Sequence, residues 1–266
     1  MRRPWLLAVL LCSPLATAHA QWTVKPGGWF MSHGFNVGRF PDRFSGVEGA
    51  TRNELDKVDW GMYFIYGLVD GLSVGLGQGY ARLEQQLGAE TLTSSGFGAT
   101  GFFVMKRIAQ GKAGILSIQP RIDIPLLFDT DKRPALGPVE PDAEVRLLYG
   151  NGFGVVGTRG FLSASAGIST IRAGDDEIRY DLTVGVDAGP RVLLMGQAFN
   201  VAGLANGGGI AYSATKLGAS AMFRLSTSVG LLGGYYAGVA GKNTARERTV
   251  SISIWMTHDP GDGVVR

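Results

Sequence analysis

Large apolar residues alternate with small or charged residues along much of this chain. The segment Glu177–Asp187 reads EIRYDLTVGVD, in which every second residue is large and apolar or aromatic and the residues between are charged or small. Side chains on a β-strand point alternately to opposite faces, whereas helical spacing would mix the two sets. The pattern therefore predicts a strand with one apolar and one charged face, in a sheet whose faces contact different solvents.

The same alternation recurs and predicts about twelve strands, most of roughly ten to thirteen residues, with no helix between them. It is clearest in five further segments: 57–68, 113–126, 142–149, 161–172 and 248–257. Two predicted strands, 95–107 and 212–224, cannot be phased. In the first of these, Phe102 and Phe103 occupy both faces.

The predicted connections mostly alternate between long and short, as in a barrel with loops at one end and turns at the other. Polar or glycine-rich composition predicts loops at 39–56, 84–94, 127–141 and 150–160. The connections at 150–160 and 173–176 break the alternation. A tight turn at 188–190 would place Asp187 opposite Arg191 and Asp181 opposite Gln197.

Two architectures fit alternating strands. A soluble barrel or sandwich buries its apolar face, whereas an outer-membrane barrel turns that face to lipid and keeps small and charged residues inside. Strands of ten or more residues match the length needed to cross a bilayer at a tilt. Interleaved acids and bases on the polar faces suit a lumen. We therefore predict an all-β fold, a single up-and-down antiparallel transmembrane β-barrel of about 12 strands.

Residues 1–20 have the features of a secretory signal peptide. Arg2 and Arg3 precede an apolar stretch that is too short to span a bilayer, and Ala18-His19-Ala20 matches a cleavage site. We expect export through a cleaved signal peptide to the outer membrane of a Gram-negative bacterium. Residues 21–266 would then form the barrel domain.

Composition excludes several classes of function. Cys12 is the only cysteine, so the processed chain has no disulfide framework. Without Arg2 and Arg3, 23 basic residues stand against 22 acidic residues, and no nucleic-acid partner follows from that balance. Glycine accounts for 41 of 266 residues, far more than a helical protein tolerates.

Several stretches resemble an uncharacterised family of proteobacterial outer-membrane proteins, similar to the transporter-like barrels named after the meta pathway of phenol degradation. The resemblance implies a transporter-like barrel and spans most of the processed chain. Its motifs concern the barrel rather than chemistry. The matching stretches are 177–185, Arg191 to Leu194 with Gln197, Phe199 and Asn200, Tyr66 to Asp70, Ala240 to Asn243, and Arg246 to Arg248.

Catalytic chemistry has little support in the sequence. Ser32 and His33 are adjacent on a predicted strand, so they point to opposite faces and cannot form a nucleophile–base pair. No His, Cys or Glu residues have the spacing of metal ligands. Gly152-x-Gly154-x-x-Gly157 matches a dinucleotide fingerprint by spacing, but no helical pattern follows it. We predict no enzyme activity, no metal site and no cofactor.

The alternation instead predicts a charged lumen, through which small solutes would pass in a porin-like or transporter-like way. The alternatives are a non-conducting structural or adhesive barrel, plugged by its own paired charges, and more remotely a lipid-modifying enzyme. The predicted lumen-lining charges are Asp59, Arg121, Asp123, Glu144, Arg146, Arg179, Asp181, Asp187, Arg191, Lys216 and Arg224.

Outer-membrane lipid, lipopolysaccharide and the barrel-assembly machinery are the expected partners, and the small solute is unknown. Acidic residues in the predicted loops could hold a divalent cation or bridge to lipopolysaccharide, but solvated loop charge is the favoured explanation. These residues are Asp129, Asp131, Asp175 and Asp176.

Protein isolated from cells should begin at Gln21, because the cleavage motif ends at Ala20. Intact-mass measurement and N-terminal sequencing of the purified protein check this. A species that still carries residues 1–20 would contradict the assignment of a cleaved signal peptide.

Overall fold

The computed structural model describes residues 23–44, 53–127, 132–134, 136, 140–155, 157–171, 176–207 and 211–260. The predicted signal peptide lies outside the described residues. No helix that could cross a membrane is present in the described ranges. The strands are β1 (Trp29–Arg43), β2 (Asn53–Val69), β3 (Leu72–Leu87), β4 (Glu90–Phe97), β5 (Thr100–Gly111), β6 (Gly114–Ile124), β7 (Asp142–Val155), β8 (Thr158–Ile171), β9 (Glu177–Asp187), β10 (Val192–Gly203), β11 (Tyr212–Arg224), β12 (Val229–Lys242) and β13 (Ala245–His258).

Twelve of these strands form one closed antiparallel barrel. Each pairs with its neighbours in sequence, except that β3 pairs with β5, and β1 closes the ring against β13. The additional strand, β4, pairs with Tyr80–Leu87 of β3. The predicted all-β, up-and-down antiparallel barrel of about 12 strands is therefore confirmed.

The two ends of the barrel differ in their connections. At what we call the turn end, β2–β3, β5–β6 and β7–β8 are each joined by two residues, and β1 begins beside the end of β13. At the opposite loop end, β6–β7 is joined by residues 125–141 and β10–β11 by residues 204–211. The long connections therefore lie at one end, as expected for an outer-membrane barrel, although β12–β13 is joined there by only two residues.

Three predicted loops are corrected. Residues 150–160 are not a loop, since β7 runs to Val155 and Gly152 and Gly154 occupy alternate positions of that strand facing the cavity. Residues 84–94 are the tip of the β3–β4 hairpin, which turns at Gly88 with a φ of +64°. The connection at 39–56 shortens to 44–52. In each case the strands extend further than the polar or glycine-rich composition predicts.

The predicted register of β9 and β10 is also wrong. Asp187 pairs with Leu193 and Asp181 with Phe199, two residues away from the expected partners. The connection occupies residues 188–191, so Arg191 belongs to the turn rather than to the strand. The shift is by two residues, so the set of residues on each face is unchanged.

The charged face of the sheet points inward. On β9, Arg179, Thr183 and Asp187 line the interior, while Tyr180 and Leu182 are exposed on the outside. On β5, whose phase the sequence left open, Phe103 is 3% exposed and Phe102 is 41% exposed. Apolar side chains thus cover the outer surface, the arrangement suited to lipid.

Replacing Val184 with arginine should impair assembly into a bilayer, because Val184 is exposed on the outer face of β9. An arginine on the lipid face near mid-depth costs about 2–4 kcal/mol. The folded fraction in liposomes, read from urea titration, measures this. The control Val184→Leu should fold like wild type, and equal folding of both variants would contradict the orientation.

Candidate functional site

A cavity of about 1820 Å³ occupies the barrel interior. It extends from Ser226–Gly230 and His258 at the turn end to Asp123 and Asp142 near the loop end. Most of the barrel strands contribute side chains to its wall. The interior is therefore open space along much of the barrel's length.

One wall of this cavity, formed by β6–β9, carries a row of ion pairs that we call the charge ladder. Arg121 donates to both carboxylate oxygens of Asp123, at 2.7 and 2.6 Å. Arg146 donates to Glu144 and to Asp181, each at 2.7 Å. Such charge-assisted bonds hold the side chains in fixed positions against the wall.

Arg179 links Glu144 to Glu177 within the ladder. Its Nε donates to Glu177 at 2.7 Å, and its Nη1 lies 3.7 Å from Glu144. Glu177 also accepts a hydrogen bond from the hydroxyl of Tyr212. Glu144 is only 5% exposed, so its carboxylate depends on these guanidinium groups.

A glycine makes the ladder possible. Arg146 on β7 reaches Asp181 on β9 by crossing β8 above Gly167, its cross-strand neighbour. A Cβ at Gly167 would lie 2.5 Å from Cγ of Arg146 and 2.8 Å from the carbonyl oxygen of Val145. Any larger residue would therefore push the guanidinium off the wall.

Carboxylates outnumber guanidiniums in the ladder. Asp142 adds a further carboxylate, held by the hydroxyl of Ser169 at 2.7 Å. With all of these groups ionised, five acids against three bases leave a net charge of −2 on this wall. The acids are Asp123, Asp142, Glu144, Glu177 and Asp181, and the bases are Arg121, Arg146 and Arg179.

The opposite wall carries neutral pairs of charges. Lys57 lies 3.0 Å from Asp59, and Lys216 lies 3.1 Å from Glu247. The ammonium of Lys216 also stands 5.7 Å from the ring centre of Phe199. A second pocket, of about 290 Å³, opens between these two pairs.

Asp187 lies apart from the ladder, at the turn end. It pairs with Arg224 at 2.5 Å and with Arg159 at 3.5 Å. Arg191 is exposed in the β9–β10 turn, where its carbonyl oxygen accepts a hydrogen bond from the backbone N–H of Arg224. The structure thus brings six predicted residues into the ladder. Asp59 and Lys216 lie on the opposite wall, and Asp187 and Arg224 lie nearer the turn end. The six are Arg121, Asp123, Glu144, Arg146, Arg179 and Asp181.

Apolar side chains also enter the lumen, in the turn-end half. One cluster contains Ile65, Phe103, Met105 and Leu148. The second contains Phe161, Leu193, Met195 and Leu232, with Met222 and Trp255 packed against it. We call these two clusters the apolar collar. Alternation places Ile65, Leu193 and Met195 on the inward face, but it does not predict that apolar side chains gather into clusters there.

Glycines accommodate the aromatic members of the collar. A Cβ at Gly75 would lie 2.2 Å from the ring of Phe103, and a Cβ at Gly185 would lie 2.2 Å from the ring of Phe161. Each ring therefore lies over a glycine of a nearby strand instead of projecting into the cavity. The glycine on the neighbouring strand is the signal that could have located these rings.

The segment 23–28 packs inside the turn end, before β1. The backbone N–H of Val24 donates to the hydroxyl of Ser73 at 2.9 Å, and Lys25 pairs with Asp259 at 2.6 Å. A Cβ at Gly67 would lie 2.1 Å from the carbonyl oxygen of Lys25. This segment narrows the cavity below the apolar collar.

The described histidines do not form a catalytic pair. Ser32 lines the cavity, whereas His33 stacks on Trp60 with ring centres 5.7 Å apart, and His258 packs near Trp29. The described residues hold no cluster of three or more potential metal ligands. Of the acidic loop residues, Asp176 is described, and it exchanges two hydrogen bonds with Asn206. Asp129, Asp131 and Asp175 lie outside the described residues.

Solved structures resemble this barrel. An outer-membrane channel from Pseudomonas putida F1 matches with a TM-score of 0.74 and 13% identity, over 92% of this chain and 100% of that one. The transport unit of the autotransporter AIDA-I from Escherichia coli matches with a TM-score of 0.55 and 9% identity, over 92% and 93%. The β domain of the Bordetella autotransporter Brka matches with a TM-score of 0.53 and 14% identity, over 88% and 100%.

No protein-family model matches the chain, and no curated protein matches it. At identities this low, the structural likeness shows the fold alone. The chain therefore has the fold of outer-membrane β-barrels, of which the neighbours include a channel and two autotransporter domains.

Gly167→Ala should destabilise the barrel by about 1–3 kcal/mol, because the new methyl group displaces Arg146 or shifts β7. Urea unfolding in detergent micelles measures the free energy. The matched control is Gly196→Ala, where a Cβ would meet open space and stability should be unchanged or slightly higher. Equal stability of the two variants would contradict the packing of Arg146 over Gly167.

Proposed function

We propose that this protein is an outer-membrane channel that lets small solutes pass through a charged lumen. The observation that carries the proposal is the 1820 Å³ cavity, which runs from the turn end to the charge ladder near the loop end. A barrel that served only as a structural element would gain stability by filling this space.

Membrane insertion follows from the outer surface. Large apolar side chains are exposed along the strands, which would be costly in water. In such barrels the short turns face the periplasm and the longer loops face the exterior. We therefore place the turn end, with segment 23–28, on the periplasmic side and the charge ladder towards the exterior.

The charge ladder would favour cations. Its net charge of −2 lies on a wall where Arg121, Arg146 and Arg179 are already paired with carboxylates. Charges in a narrow, low-dielectric lumen act more strongly than charges in bulk water. We infer a preference for cationic or zwitterionic solutes that weakens as salt screens the wall.

A second candidate is a barrel that does not conduct. The pairing of nearly all lumen charges and the position of segment 23–28 at the turn end favour it. In that case the paired charges and the apolar collar would serve stability alone. This candidate predicts a folded protein in the outer membrane that produces no current.

Purified protein should produce discrete current steps in planar bilayers and prefer cations in a salt gradient. Asp181→Ala should lower that preference and Arg179→Ala should raise it, because each removes one charge of opposite sign from the ladder. The control Arg82→Ala removes an exposed outward charge and should behave like wild type. The reversal potential gives the ion preference of wild type and of each of the three variants.

The closed barrel should migrate faster on a gel unboiled than boiled, and this checks folding before each recording. Correctly migrating protein without current steps would favour the non-conducting barrel. Current steps whose ion preference is the same in wild type and both ladder variants would contradict the role assigned to the ladder.

A further inference from the structure

Two arginines face each other on the outer surface at the loop end. Arg39 of β1 and Arg248 of β13 are direct cross-strand partners. Like charges placed directly opposite each other destabilise a sheet unless another group neutralises them. Arg39 has a partial neutraliser in Asp56, 3.1 Å away, but its side chain remains 74% exposed.

Arg248 has no such partner among the described residues. Its neighbour on the other side is Ala237 of β12. The next outward arginine, Arg246, lies 3.6 Å from Asp42 and 4.6 Å from the ring centre of Phe44. The exposed guanidinium of Arg248 therefore stands beside a second arginine, with no described carboxylate to pair with it.

The arginine pair marks the edge of the apolar surface. Towards the middle of β13, Val250 is 54% exposed and Ile252 is 56% exposed. On β1 the next outward residue, Val37, is likewise exposed and apolar. Arginines at the boundary of a lipid-facing band lie at the depth of lipid headgroups.

Among the described residues, β7–β10 have no counterpart of this positive site. On β7–β10, the outward residues nearest the loop end carry no charge. They are Ala143, Thr170, Ile178 and Ala202. If the loop end needed cationic side chains all round the barrel, they would also be present on those strands.

We propose that Arg39 and Arg248 together bind a phosphate of the lipopolysaccharide headgroup in the outer leaflet. One guanidinium can donate two parallel hydrogen bonds to a phosphate. Two adjacent arginines can therefore hold one phosphate between them. The bound phosphate neutralises the repulsion between the two arginines. The site depends on membrane placement with the loop end outside, and it is independent of conduction.

Native mass spectrometry of the protein in detergent micelles, titrated with bisphosphorylated lipid A, tests the proposal. Wild type should bind it with at least about ten-fold higher affinity than the same lipid A without phosphates. Arg248→Gln should lose about ten-fold in affinity and Arg248→Lys should recover part of it. Lys106→Gln, an exposed outward position at the turn end, should bind like wild type.

The faster migration of unboiled protein confirms that each variant is folded before titration. Equal affinity for lipid A with and without phosphates would overturn the proposal, and so would wild-type affinity of Arg248→Gln. An equal loss of affinity in Lys106→Gln would also overturn the proposal, because it would show that binding depends on overall charge alone. Displacement of lipid A by millimolar inorganic phosphate would overturn the assignment to a lipid headgroup.

Discussion

Closure of the hydrogen-bonded ladder is the constraint on which the rest of this structure depends. Lipid offers no hydrogen-bond partners, so every backbone N–H and C=O in a membrane-spanning sheet must be paired within the protein. Pairing of β1 with β13 along nearly their whole lengths meets this requirement, because it leaves no free edge in the ring. Closure also separates the two faces permanently, so one side of each strand meets lipid and the other meets the lumen.

Among the described residues the lumen contains no closely packed core, so the side chains that line it must be stabilised along the wall. In the loop-end half, arginines and carboxylates satisfy one another across strands, as Arg146 does with Glu144 and Asp181. In the turn-end half, rings such as Phe103 and Phe161 lie over glycines, which keeps them close to the wall. These glycines therefore make room in the interior for side chains from neighbouring strands.

The fold could be predicted from sequence because alternation is strong wherever the two faces meet different environments. The alternation does not predict a strand where that difference between the two faces disappears. At residues 84–94 large apolar residues are sparse, and at Gly152 and Gly154 one face is bare, so the pattern predicts loop where the chain is extended. The predicted lumen charges came from the same alternation, which survives a register error of two residues. Their pairing could not be predicted, since Arg146 reaches Asp181 only through the exact alignment of three strands.

The central claim is that the charged face of the sheet lines the lumen and the apolar face contacts lipid. Single cysteines at each position from 178 to 187 test it directly, because residues 21–266 contain no cysteine. Each would carry a fluorophore in liposomes containing either a lipid-bound or a water-soluble quencher. We expect the lipid-bound quencher to act at even positions and the water-soluble quencher to act at odd positions. The reverse pattern would contradict the account and indicate a barrel with an apolar interior.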